Sequence, residues 1–278
     1  MGVLLALASA VSYGLSDFAG GLLARRLPFA TVAFLGQAGA LLLMVILALF
    51  DSAAVATPAD LAWGALSGIG TGVGMLFLFR GLGRGAMAVV VPSSAVSGVA
   101  LPILIGVLLL GERPSVPSWL GIAVAIPTLW LVSTTTNGPR AVLSPAAADG
   151  LVAGIGIAVQ YIALAQSGPQ SGLWPVTAGR VTALLTVLPL VLATHAPIRI
   201  RPSRLAGCVA TGAAAALALG CFLFATRQQL LAVAVVLSSL YPVVPVILGL
   251  TALHERLTRR QVVGLFGAAA AIALLTVF

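Results

Sequence analysis

One stretch of this chain occurs twice. Pro102-Ile-Leu-Ile-Gly-Val-Leu-Leu-Leu-Gly-Glu112-Arg113 is answered by Pro245-Val-Ile-Leu-Gly-Leu-Thr-Ala-Leu-His-Glu255-Arg256. In both copies a proline precedes a Glu-Arg pair by ten residues, and a glycine (Gly121, Gly264) follows the Glu by nine. The match extends upstream in register: Phe77-Leu78-Phe79 stands sixteen residues before Ser93-Ser94, as Phe222-Leu223-Phe224 does before Ser238-Ser239. Gly36 leads Ala40-Leu41-Leu42 as Gly179 leads Ala183-Leu184-Leu185. Each match alone is weak in so apolar a chain. Three in one order identify an internal duplication.

What is duplicated follows from the solvent the chain needs. It is 60% hydrophobic and 7% charged, against about a quarter charged in soluble domains, with a mean hydropathy of +1.17. It could not cover an aqueous surface, so lipid is its solvent. Short alternating segments of a transmembrane barrel are absent. The expected class is an all-α integral membrane protein. The net charge of +8 comes from arginines placed singly or in pairs between apolar runs, a topology signal and not a nucleic-acid surface. Cys208 and Cys221 are thirteen residues apart in one predicted helix and point to different faces, which suits neither a disulfide nor a metal pair.

A span needs about twenty apolar residues. Cutting at arginines, prolines and polar clusters gives ten, roughly 3–24, 29–50, 61–82, 86–110, 116–134, 148–167, 173–194, 205–226, 231–253 and 261–277. The first lacks a basic leader and is expected to remain as a span. The longer polar stretch around Asn137-Gly138-Pro139-Arg140 falls between spans five and six, giving repeats at 1–138 and 148–278 with a linker at 139–147. Five is odd, so the halves are expected to lie in opposite orientation. Eleven arginines (25, 26, 80, 84, 140, 199, 201, 204, 256, 259 and 260) fall on one side, and only Arg113 and Arg227 on the other. The positive-inside rule then puts both termini outside the cytoplasm.

Ten spans in two inverted halves, with the Pro…Gly-Glu-Arg pattern ending spans four and nine, resemble the drug/metabolite transporter superfamily, specifically its EamA-like ten-helix transporters. The opening Tyr13-Gly14-Leu15-Ser16-Asp17-Phe18-Ala19-Gly20-Gly21 is also similar to first helices of bacterial members. The second copy departs from the motif with His254 in place of Gly111, and the arginine bias reverses the terminal orientation of many relatives. The resemblance implies a bacterial inner-membrane secondary transporter, a proton-coupled exporter of small metabolites or drugs. The alternatives are a non-transporting assembly subunit or a lipid scramblase. No GxxxxGK loop or intramembrane nucleophile or metal constellation appears. Neither enzyme activity nor a cofactor or metal is expected. The expected partners are a small-molecule substrate, protons and membrane lipid, with no nucleic acid, in a monomer or weak homodimer.

Asp17 lies eight residues before Arg25, about 12 Å inside the interface. With Ser9, Ser12, Tyr13, Ser16 and Gly20 it forms a polar arc of about 140°. Such an ionisable group is a functional candidate, either as a protonatable coupling carboxylate or as a packing residue bonded to serines. Arg180 sits six residues past Trp174, about 9 Å deep, and its repeat equivalent is Gln37. It either pairs with Asp17, anchors a substrate carboxylate or phosphate through its planar fork, or snorkels toward headgroups. Gln160, Tyr161 and Tyr241 either line a cavity or join helices. Arg80 reads as a snorkelling residue, and Glu112 as half of an interfacial salt bridge with Arg113. Gly64, Gly68, Gly72, Gly70 and Gly74 predict close packing within the monomer. Pro92 and Pro102 in span four, and Pro242 and Pro245 in span nine, predict paired helix breaks beside a central site.

Overall fold

In a computed structural model the chain is all-helical among the described residues, which exclude 25, 52–54, 84–86, 134–144, 242, 253–258 and 278. The helices are α1 (Gly2–Ala24), α2 (Phe29–Phe50), α3 (Pro58–Gly83), α4 (Met87–Leu108), α5 (Val116–Ser133) and α6 (Pro145–Ala165). After a short 3₁₀ turn (Pro169–Ser171) come α7 (Trp174–Ala193), α8 (Pro202–Thr226), α9 (Leu231–Ser238), α10 (Val243–Ala252) and α11 (Arg259–Val277). These are the ten expected spans, the ninth divided into α9 and α10. Among the described residues, six of the helices are each long and apolar enough to cross a bilayer.

The packing obeys one rule throughout. α1 lies on α8 as α6 lies on α3, α2 lies on α8 as α7 lies on α3, and α4 lies on α6 as α9 and α10 lie on α1. α2 meets α7, α5 meets α11 and α4 meets α9, each element thereby touching its own counterpart. This is the contact pattern of a pseudo-two-fold axis with the two halves interdigitated.

The direction of each helix shows that the halves are inverted. Ser16 Oγ donates to the Thr211 carbonyl at 2.9 Å, Gly2 lies beside Gln228 and Leu23 beside Gly207, so α1 and α8 run antiparallel. Ser67 Oγ donates to the Gln160 carbonyl at 2.9 Å and Arg80 pairs with Asp149, so α3 and α6 are also antiparallel. Gly64, Gly68 and Gly72 meet Pro175, Gly179 and Thr186 in that order, so α3 and α7 are parallel. Because α1, α2 and α3 are joined by short links, they alternate in direction. It follows that α6, α7 and α8 run opposite to α1, α2 and α3 respectively.

The glycines explain how the halves come so close. One stripe of α3 (Gly64, Gly68, Gly72) seats α7, and another (Gly70, Gly74) seats α6 at Gly156. The expected intramolecular role therefore holds. Gly36 on α2 meets Gly212 on α8 in the same way. Without a hydrophobic drive between helices in lipid, such close backbone approach is what dispersion packing requires. Every residue of α9 is buried, and a helix apolar on all sides belongs at the centre. Leu4, Val11, Leu15 and Leu22 of α1 and Leu42, Ile46 and Leu49 of α2 are exposed toward lipid.

The expected helix breaks divide unequally. Span nine is interrupted after Ser238 and resumes at Val243, with Pro245 in the first turn of α10, whereas α4 runs unbroken through Pro92 and Pro102. A transmembrane helix tolerates proline where neighbours re-satisfy the freed carbonyl, so local sequence does not decide between the two outcomes. Pro242, His254, Glu255, Arg256, Arg25, Arg84, Arg140 and the Asn137–Pro139 stretch lie outside the described residues.

Candidate functional site

Four helices (α1, α2, α6 and α7) and the break in span nine bring the sequence-predicted residues together. Gln160 of α6 is the hub of one network: its Nε2 donates to the Tyr13 hydroxyl at 3.1 Å and its Oε1 accepts from Thr71 of α3 at 2.6 Å. The Tyr13 ring faces that of Tyr241, centroids 6.1 Å apart and tilted by 51°, and Tyr241 lies in the break itself. Tyr161 is buried, with its ring 4.5 Å from that of Phe222 and its hydroxyl beside Ser239. Ser239 and Ser238 are buried.

The second network holds the cation. Arg180 Nη1 donates to Gln37 Oε1 at 3.1 Å, and Gln37 Nε2 contacts the Met75 sulfur at 3.3 Å. Arg180 is 1% exposed, so it does not snorkel. No ion pair joins it to Asp17. Its Nε and Nη2 are buried without a hydrogen-bond partner.

Gln37 and Arg180 are repeat equivalents, 143 positions apart, and they touch. Two equivalent residues meet only where the pseudo-two-fold axis passes between them. In an inverted repeat that axis lies in the membrane plane. The guanidinium is therefore at the midplane, deeper than counting from Trp174 suggests. The same spacing of 143 relates Asp17 to Gln160. At both sites one copy carries a charge and the other a neutral amide.

Asp17 is exposed although it lies well inside a spanning helix. Its direction shows what it is exposed to. It projects about 140° around α1 from the lipid-facing stripe of Leu4, Val11, Leu15 and Leu22. Beyond it on that side are Tyr13, Tyr161 and Tyr241, all near enough to sense its charge. Asp17 thus projects away from the lipid-facing stripe, on the side of these tyrosines.

Sequence reasoning missed several partners. Ser67 and Thr71, four apart on a buried face of α3, anchor Gln160, and that hydroxyl spacing was a usable signal. Arg80 pairs with buried Asp149 at 2.7 Å and lies 4.6 Å above the Phe77 ring, so it is more than a snorkelling residue. Glu112 is not paired with Arg113: its carboxylate accepts the Leu231 and Ala232 backbone N–H groups and caps α9, a helix of the other half. On that face Asp60 Oδ1 accepts the Gly168 N–H at 2.6 Å, while Arg227 Nη2 donates to the Gly168 carbonyl and to Ser171 Oγ. The turn between α6 and α7 is thus held from both sides.

Residues 1–134 match the model of the EamA-like transporter family, which bears out the family resemblance over the first repeat. An uncharacterized protein of Methanocaldococcus jannaschii is 26% identical over 131 residues, 47% of this chain and 95% of that protein. Its whole length thus corresponds to about half of this one. A protein crystal structure superposes over 99% of this chain and 98% of its own, with a TM-score of 0.75 at 16% identity, a likeness of fold.

Proposed function

We propose, taking the EamA-like first repeat as premise, that this multi-pass membrane protein is a secondary transporter, a proton-coupled exporter of small metabolites or drugs. The observation that carries the reading is the polar centre on the pseudo-two-fold axis, where Asp17 projects away from the lipid-facing stripe and Arg180 meets Gln37. Buried ionisable groups at such depth are costly and mark substrate or proton pathways. Asp17 is the coupling carboxylate, and Tyr13, Gln37, Gln160, Tyr161, Arg180 and Tyr241 line the substrate site. The repeats, 1–138 and 148–278 joined by a linker at 139–147, rock against each other. Unlike conformations of equivalent spans support this: α4 is one helix, while its counterpart is α9 and α10. An inverted pair in that condition has a second arrangement with the roles exchanged, as alternating access requires.

The arginine-rich face is cytoplasmic, and the membrane is the bacterial plasma membrane. The test is flux into proteoliposomes containing only this chain, under an imposed pH gradient. Wild type is expected to accumulate its substrate, and Asp17→Asn to lose the pH-driven part while remaining folded. Unchanged pH dependence in Asp17→Asn rejects the coupling role. Absence of flux across a broad substrate panel rejects transport in favour of an assembly role.

A further inference from the structure

The unpartnered edge of Arg180 names the substrate's chemistry. A guanidinium binds a carboxylate side-on through Nε–H and one Nη–H, two parallel donors matching two oxygens. In this molecule that pair, Nε and Nη2, is the pair left without a partner, while Nη1 is taken by the neutral Gln37. The geometry points to Arg180 as the docking site for a small organic anion, a monocarboxylate, bound at the midplane with the Nε–Nη2 edge as its fork. The inference deepens the transport reading and rests on it for calling this anion the substrate.

Three further observations favour it. The first is charge. No carboxylate forms an ion pair with Arg180 among the described residues, and the groups shown beside it, Gln37 and Tyr13, are neutral. A buried cation without its counterion is expensive, and an arriving anion neutralises it. The second is valence. Asp17 lies on the same tyrosine cluster and, among the described residues, Arg180 is its one cation, so with Asp17 protonated one negative charge balances the site and a phosphate dianion overshoots it. The third is preorganisation. Glycine contacts between α3 and α7 lock the helix that carries Arg180, at Gly68 on Gly179, one residue before it. The Gln37 contact fixes the guanidinium, so little freedom is lost on binding.

The test is equilibrium binding, which needs no transport. Purified full-length protein in detergent is melted at constant ionic strength in sodium chloride, in sodium phosphate, and in a panel of sodium monocarboxylates including acetate and benzoate. At least one monocarboxylate is expected to raise the melting temperature saturably by several degrees over chloride, with phosphate much weaker. Arg180→Lys, which keeps the charge but loses the fork, is expected to weaken binding at least tenfold. Because Arg180→Lys could fail to fold, Gln37→Glu is the second variant. It places a carboxylate on the guanidinium, and is expected to raise the melting temperature without ligand while abolishing the carboxylate shift. If no panel member exceeds chloride, if phosphate equals the best carboxylate, or if Gln37→Glu retains the full shift, the inference is overturned. A protein that carries flux yet fails these tests leaves transport standing. One that binds carboxylates in this manner without flux removes transport and keeps the site.

Discussion

The pseudo-two-fold relation predicts that two glycines far apart in sequence behave as one site. Gly68 meets Gly179 where α3 crosses α7, and Gly212 meets Gly36 where α8 crosses α2. The spacing from Gly68 to Gly212, 144 positions, nearly equals the 143 relating Gly36 to Gly179. A methyl group at Gly68 would sit 2.6 Å from the Gly179 carbonyl carbon, and one at Gly212 would sit 2.8 Å from the Gly36 Cα. Optimal carbon contacts are about 3.5–4.0 Å, so each alanine forces its helix pair apart by roughly 1 Å. The obstacle is backbone, which no rotamer change relieves. Overpacking of this kind costs about 1–3 kcal/mol, and at about 2–4 °C per kcal/mol the melting temperature falls by about 2–12 °C. Gly21, whose added methyl meets nothing within 4 Å, is the control: Gly21→Ala is expected to leave stability unchanged or raise it by up to about 1 kcal/mol. The assay is loss of monodisperse protein on heating in detergent. Gly68→Ala and Gly212→Ala should fall by similar amounts, and their double variant by the sum, since the two crossings share no partner. If only one destabilises, or both melt with wild type, the proposed equivalence of the crossings is wrong.

Two further outcomes are expected. Glu112→Ala removes the cap from α9 and should cost about 0.5–2 kcal/mol, read as a lower melting temperature, while Glu112→Gln keeps an acceptor and loses less; equal melting of all three proteins refutes the capping role. A periplasm-dependent reporter fused after Phe278 should be active, and activity of a cytoplasm-dependent one in its place reverses the assigned orientation.

Most of the scaffold was legible in the sequence because lipid imposes long apolar runs and a charge bias, and both survive as one-dimensional signals. Asp17, Arg180 and Gln37 stood out for the same reason: a polar group deep in a span is conspicuous. Which groups they meet was not legible, because the contacts that matter most join one half to the other. Glu112 looked like the neighbour of Arg113 until the fold brought the start of α9 against it. Asp149 sat at the edge of a polar linker with nothing to indicate Arg80, 69 positions earlier. The prolines misled in an instructive way. Both span four and span nine contain two, yet only span nine is interrupted among the described residues. There Glu112 holds the start of α9 and Ser238 contacts the Ala6 carbonyl, so tertiary partners and not proline count separate the two.

Duplication itself explains why Arg180 faces an amide counterpart at the centre. A faithful copy would put arginine at both 37 and 180, in contact across the axis. Two unit charges at about 4 Å repel by about 4 kcal/mol at an effective dielectric of about 20, a large share of the stability of a folded chain. Replacing one by glutamine removes the repulsion and keeps a hydrogen-bond acceptor for the other. Restoring the symmetry should therefore be harmful where breaking it further is not: Gln37→Arg is expected to lower the yield of folded protein or its melting temperature sharply, and Gln37→Leu, which removes only the acceptor, to do so less. Added chloride or carboxylate should recover part of the loss in Gln37→Arg by screening the pair. Normal folding of Gln37→Arg without added anion would mean that positions 37 and 180 do not share the axis, and the midplane placement of Arg180 would fall with it.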